Sequence, residues 1–287
     1  MHTIASTDGT TIAYDKAGQG HPLILVDGAL CSRAGGPMPK LAPLLAEHFT
    51  VYTYDRRGRN DSGDSPPYAI EREVEDLKAL MAVAGGRAHL YGISSGAVLA
   101  LEAAASGLPV DKLVVYEPPF IVDDSRAPLP PDYLERMRRL LADDRRGDAV
   151  RYFMAQVGVP RIFAELMRLM PAWRKLKAIA PTLVYDATLM AGTQDGKRLP
   201  ADRFRSVTTP TLVAVGGKSP DWMRAGARAL VDLLPDAREQ VVEGQTHMLK
   251  AKAIAPVLID FLAPALRSAP SRSSAPAPAS ARRTPAA

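Results

Sequence analysis

The 287-residue chain holds a single cysteine, Cys31, so no intramolecular disulfide can form. That shortage suits a reducing compartment. A basic n-region followed by an apolar h-region is missing from Met1 to Thr10, so no Sec-type signal peptide is expected. No uninterrupted apolar stretch approaches the ~18–20 residues of a membrane span. These absences make a cytoplasmic location, with no membrane partner, the expectation. Histidine or cysteine pairs at ligand spacing are also missing, so no metal site is expected. Gly85-Gly86 and Gly216-Gly217 are too short and wrongly placed for phosphate loops, and no organic cofactor is implied. The formal charge of +5 looks like a nucleic-acid signal until it is located. Arg267, Arg272, Arg282 and Arg283 lie at or beyond the last expected helix, and without them the chain is close to neutral. No nucleic-acid partner is expected.

What is present is an alternation. Thr11–Ala17 alternates and reads as an early antiparallel strand, and short apolar runs at Leu23–Val26, Thr50–Tyr54, Ala88–Tyr91, Leu113–Tyr116, Leu212–Val215 and Arg238–Val242 read as further strands. Helical patterns lie between or after them at Lys40–Glu47, Ile70–Ala82, Ala97–Ala105, Trp222–Leu234 and Ile254–Leu266. Strands alternating with helices imply an α/β fold, with a mostly parallel sheet flanked by helices. Its ligand crevice should lie at the C-terminal strand ends. Polar and glycine-rich clusters fall there: Asp27-Gly28, Asp55, Gly92, Glu117, Gly216-Gly217 and Glu243-Gly244.

One segment breaks the alternation. Residues 118–208 contain no convincing strand and read as several proline-punctuated helices inserted between two strands. Ile162, Leu166 and Met170, with Phe163 and Met167 beside them, recur at helical spacing and are expected to pack between helices or to line a pocket facing the sheet. Residues 268–287 are Ser, Ala, Pro and Arg, which cannot build a core and are expected to form a disordered tail. The expected units are therefore a core of 1–117 and 209–267, an inserted helical cap of 118–208, and the tail.

Gly92-Ile93-Ser94-Ser95-Gly96 follows a strand and opens a helix, the context a nucleophile elbow requires. A sharp turn there strains the serine backbone and holds Oγ above the sheet. Ser95 is the competing serine, but its backbone N–H is the more useful group. Among five histidines only His247, in Glu243-Gly244-Gln245-Thr246-His247, follows a strand on the side where Ser94 should lie. A neutral imidazole there can take the serine proton and return it to a leaving group.

Asp27-Gly28, the run Tyr54-Asp55-Arg56-Arg57-Gly58-Arg59-Asn60-Asp61-Ser62, the elbow and the late Gly-Gln-Thr-His together resemble the α/β-hydrolase family. The resemblance covers about residues 10–117 and 208–266, with the inserted helices in the place of that family's cap. It implies that the N–H groups of Ala29 and Ser95 form the oxyanion hole. Two departures stand out. Asp27 replaces the family's usual histidine before Gly28. Ser219 occupies the family's usual acid position after Leu212–Val215, and a serine cannot stabilise an imidazolium as a carboxylate does. Two carboxylates compete to replace it. Asp221 follows two residues later but suits an N-cap of the next helix. Glu117 ends the strand after the elbow helix, where some superfamily members carry their acid, and is preferred.

The expected protein is a cofactor-free serine hydrolase acting on a small ester, thioester or lactone through an acyl-enzyme on Ser94. His247 shuttles the proton, Glu117 orients the imidazole, and Ala29 with Ser95 hold the oxyanion. An acyltransferase, a cyclase or a non-hydrolytic small-molecule receptor could be built on the same scaffold.

Overall fold

A computed structural model describes residues 1–263. The expected tail at 268–287, and the end of the expected core at 264–267, lie outside the described residues. Eight strands form one sheet: β1 (His2–Ala5), β2 (Thr11–Ala17), β3 (His21–Val26), β4 (Phe49–Tyr54), β5 (Ala88–Ile93), β6 (Val110–Tyr116), β7 (Thr211–Gly216) and β8 (Ala237–Val242). Their order is β1-β2-β4-β3-β5-β6-β7-β8. β1 and β2 pair antiparallel, β2 meets β4 antiparallel, and every later pairing is parallel. β1, which the sequence pattern did not show, is four residues long and largely exposed at the sheet edge.

The central strands are mostly apolar because both faces are covered. Side chains alternate between two cores. Ile24, Val26, Leu90, Leu113, Val115, Val213 and Val215 enter one; Leu23, Leu25, Tyr91, Val114, Tyr116, Leu212 and Ala214 enter the other. Helices α2 (Ile70–Val83), α3 (Ser95–Ala105) and α10 (Asp221–Leu233) cover the first, while α1 (Met38–Leu45) and α11 (Ala251–Leu262) cover the second. Leu25, 1% exposed, is one of many side chains whose truncation to alanine would cost ~2–5 kcal/mol.

Between β6 and β7 lie α4 (Tyr133–Ala142), α5 (Arg146–Gln156), α6 (Arg161–Met167), α7 (Ala172–Ile179), a 3-10 turn (Ala180–Thr182), α8 (Leu183–Leu189) and α9 (Ala201–Phe204). No strand occurs there among the described residues. Met137, Val150, Met154, Trp173 and Leu183 form a separate apolar cluster within these helices. Ala29 and Leu30, in the loop after β3, pack against that cluster. The loop is therefore held between the sheet and the inserted helices.

One expectation about these helices is corrected. Ile162, Phe163, Leu166 and Met170 neither pack between helices nor face the sheet; all are more than half exposed. Only Met167 of that set joins the apolar cluster. In a seven-residue helix, Ala164 supplies the buried contact and leaves the larger side chains outside.

Candidate active site

Ser94 follows β5 with φ 57° and ψ −128°, a strained conformation for a residue with a Cβ. Its N–H donates to the Tyr116 carbonyl of the neighbouring strand (2.9 Å). The flanking glycines are required by close approach. A Cβ on Gly92 would sit 2.4 Å from the Gly96 carbonyl oxygen, and one on Gly96 would sit 2.3 Å from that of Val26. The loop after β3 lies just as near, since a Cβ on Gly28 would meet the Ser94 Cβ at 3.0 Å and its Oγ at 3.5 Å.

Glu117 follows β6 and is fully buried, with φ 46°. Its Oε2 lies 2.8 Å from His247 Nδ1. Its Oε1 accepts the Gly216 N–H (2.8 Å) and the Ser219 hydroxyl. The serine at the family's usual acid position thus donates to the glutamate that contacts the histidine. His247 lies in the loop after β8, and the Tyr116 hydroxyl pins that loop by donating to the Thr246 carbonyl (2.8 Å). Tyr116 therefore connects the backbones bearing Ser94, Glu117 and His247. Asp221 is exposed at the start of α10. Pro220 is the N-cap and no side chain caps that helix, which corrects the expected capping role.

Sequence reasoning missed a buried charge network that touches the elbow at Ser95. Asp186 of α8 accepts the Ser95 hydroxyl (2.7 Å), Arg56 Nη1 (2.8 Å) and both contacts of Arg59 Nη2 (3.1 and 2.9 Å). Arg56 also forms a two-pronged pair with Glu73, both contacts at 2.6 Å. Arg59 donates to the Gly28 carbonyl (2.6 Å), and Arg56 makes a longer contact with that of Asp27 (3.4 Å). Burial raises the Asp186 pKa, but Arg59 and Arg56 outweigh it and hold the carboxyl below its ordinary range. One residue of the inserted helices thus braces both the elbow and the loop facing it. A buried charge stripped of its partner costs ~3–5 kcal/mol, so Asp186→Ala should lose about that in urea unfolding. Ser95→Ala removes one bond to a charged acceptor and should lose ~1.5–3 kcal/mol. Equal losses would show that the arginines are not held by Asp186.

Asp27 is 3% exposed and its Oδ1 has no hydrogen-bond partner. Burial pushes its pKa from 3.8 to about 8, against the pull of Arg59 and Arg56 and with a push from Asp55. The folded protein therefore holds this proton more tightly than the unfolded chain does. The associated stability is complete below 3.8 and is lost as pH rises toward about 8. Asp27→Asn should raise the melting temperature more at about pH 9 than at about pH 5, each pKa unit being worth ~1.4 kcal/mol. The same shift at both pH values would contradict this charge state.

The sheet also brings His21, His89 and Asp111 within 4.8 Å of one another, a proximity that sequence spacing did not show. They sit at the N-terminal ends of β3, β5 and β6, away from Ser94. The Asp111 oxygens are already engaged by His21 Nε2 (2.7 Å) and Arg87.

The chain belongs to the alpha/beta hydrolase family, which matches residues 27–257. Among curated proteins it is 27% identical over 240 residues to N-formylmaleamate deformylase of Pseudomonas putida, covering 81% of this chain and 84% of that one. An alpha/beta hydrolase from Sphaerobacter thermophilus is 52% identical, with a TM-score of 0.84 over 91% of this chain and 100% of the other. The enol-lactonase from Burkholderia xenovorans shares the fold at 20% identity and a TM-score of 0.65, over 91% and 99% of the two chains.

Proposed function

We propose that the chain is a serine hydrolase that cleaves a carboxylic ester, thioester or lactone through an acyl-enzyme on Ser94. The observation carrying this reading is the strained Ser94 at the strand-to-helix turn, tied through Tyr116 to the buried Glu117–His247 pair.

In this reading Ser94 Oγ attacks the carbonyl carbon while His247 Nε2 takes its proton. Nδ1–H donates to Glu117, which fixes the tautomer and balances the imidazolium. The Gly216 N–H and Ser219 hydroxyl hold Glu117 in place. Negative charge on the tetrahedral oxygen falls to the N–H groups of Ala29 and Ser95, each donor of this kind being worth ~2.7–4 kcal/mol. His247 then protonates the leaving group, and water activated by the same imidazole releases the acid. The inserted helices act as a cap over Ser94 and set which acyl group enters. The deformylase name of the Pseudomonas putida relative fits a reaction at a carbonyl.

The test is a screen of purified protein on short and long p-nitrophenyl esters, thioesters, lactones and N-formyl compounds. Ester, thioester or lactone turnover that vanishes in Ser94→Ala supports the reading. Turnover that survives in that variant, or none on any substrate, overturns it.

A further inference from the structure

The exposed apolar residues left over from the expected packing lie beside the main concentration of positive charge in the described chain. Ile162, Phe163, Leu166, Leu169 and Met170 are 67%, 57%, 54%, 84% and 56% exposed. Five large apolar side chains within nine residues form more than the scattered exposure of an ordinary surface. Residues 144–177 hold eight cationic and three acidic side chains, while the rest of residues 1–263 carries a net excess of acid. A hollow of about 550 Å³ opens in this segment. Its wall includes Trp173, two acids, Asp144 and Asp148, and six cations, Arg145, Arg146, Arg151, Arg168, Arg174 and Lys177.

Some of these cations are already matched. Arg145 pairs with Asp148 (2.8 Å), Arg146 with Asp144 (2.7 Å), and Arg151 and Arg168 with Glu165 (2.6 and 2.8 Å). Among the described residues, Arg174 and Lys177 have no carboxylate partner. Arg168 lines the hollow and sits between Leu166 and Leu169 in sequence.

We propose that this face of the inserted helices docks on an anionic phospholipid surface. The hollow takes a lipid phosphate, and Ile162, Phe163, Leu166, Leu169 and Met170 enter the headgroup–acyl boundary. Charge complementarity favours a negative partner, and the apolar neighbours decide its class. A nucleic acid offers phosphate but nothing to bury five aliphatic and aromatic side chains. A bilayer surface offers both, as it does to basic amphipathic segments that lie on membranes without crossing them. No helix among the described residues is long and apolar enough to span a membrane, so the contact is peripheral.

The full chain should co-sediment with vesicles of phosphatidylcholine plus phosphatidylglycerol, far more than with phosphatidylcholine alone, and less at high salt. Arg174→Glu with Lys177→Glu should weaken that binding by about tenfold or more. Phe163→Ser with Leu169→Ser should weaken it comparably. Both pairs are on the surface, so the melting temperature should hold. Equal binding to both vesicle types would overturn the proposal. So would no vesicle binding with stabilisation by inorganic phosphate, which would mark a soluble-anion site. A dimer that buries the patch and ignores vesicles would overturn it as well.

Discussion

Ser94→Ala and His247→Ala should each abolish turnover of the best ester found, with the fold intact by circular dichroism and melting temperature. Both side chains act in one chemical step, so the double variant should be little worse than either single one. Loss of a nucleophile or of its base removes at least the ~10²-fold typical of general catalysis, and for a complete triad far more. Retention of more than about a tenth of the parent kcat in either folded variant would exclude that residue from the chemistry.

Glu117→Gln should lower kcat by about 10²–10⁴-fold while KM changes little, because the amide leaves the imidazole in the wrong tautomer and its developing charge unbalanced. Loss of a buried carboxylate in a serine protease costs ~10⁴-fold. Asp221→Asn should leave kcat near that of the parent. Asp221 is exposed in the first turn of α10, where a negative charge contributes only ~0.3–1 kcal/mol through the helix dipole. The deciding comparison is the two kcat values measured side by side. A crippled Asp221→Asn with a healthy Glu117→Gln would move the acid to the later loop. Two healthy variants would leave a Ser–His dyad.

The sequence showed what local pattern can carry. Apolar runs end within two residues of the ends of β3 to β8, and Gly92 and Gly96 mark a turn whose backbone leaves no room for a Cβ. Asn60 adopts φ 43°, as a short polar side chain tolerates. Glu117 drew notice because a carboxylate ended an apolar strand and the usual acid position held a serine. What stayed hidden depends on distant pairing. Asp186 meets Arg56 and Arg59 across about 130 positions, and nothing local in Leu183–Leu189 says whether its one acid is buried. His21, His89 and Asp111 meet only because parallel strands align their starts. In α6 the periodicity showed a stripe but not the direction it faces, since a short helix can bury its small residue and expose its large ones.

That Ser94 is an activated nucleophile can be checked by labelling the purified protein with a fluorophosphonate and locating the adduct by peptide mass spectrometry. One adduct is expected, on the peptide bearing Ser94, with its formation lost in Ser94→Ala and strongly slowed in His247→Ala. A protein that takes no label, or takes it on Ser95 or elsewhere with Ser94 free, would contradict it.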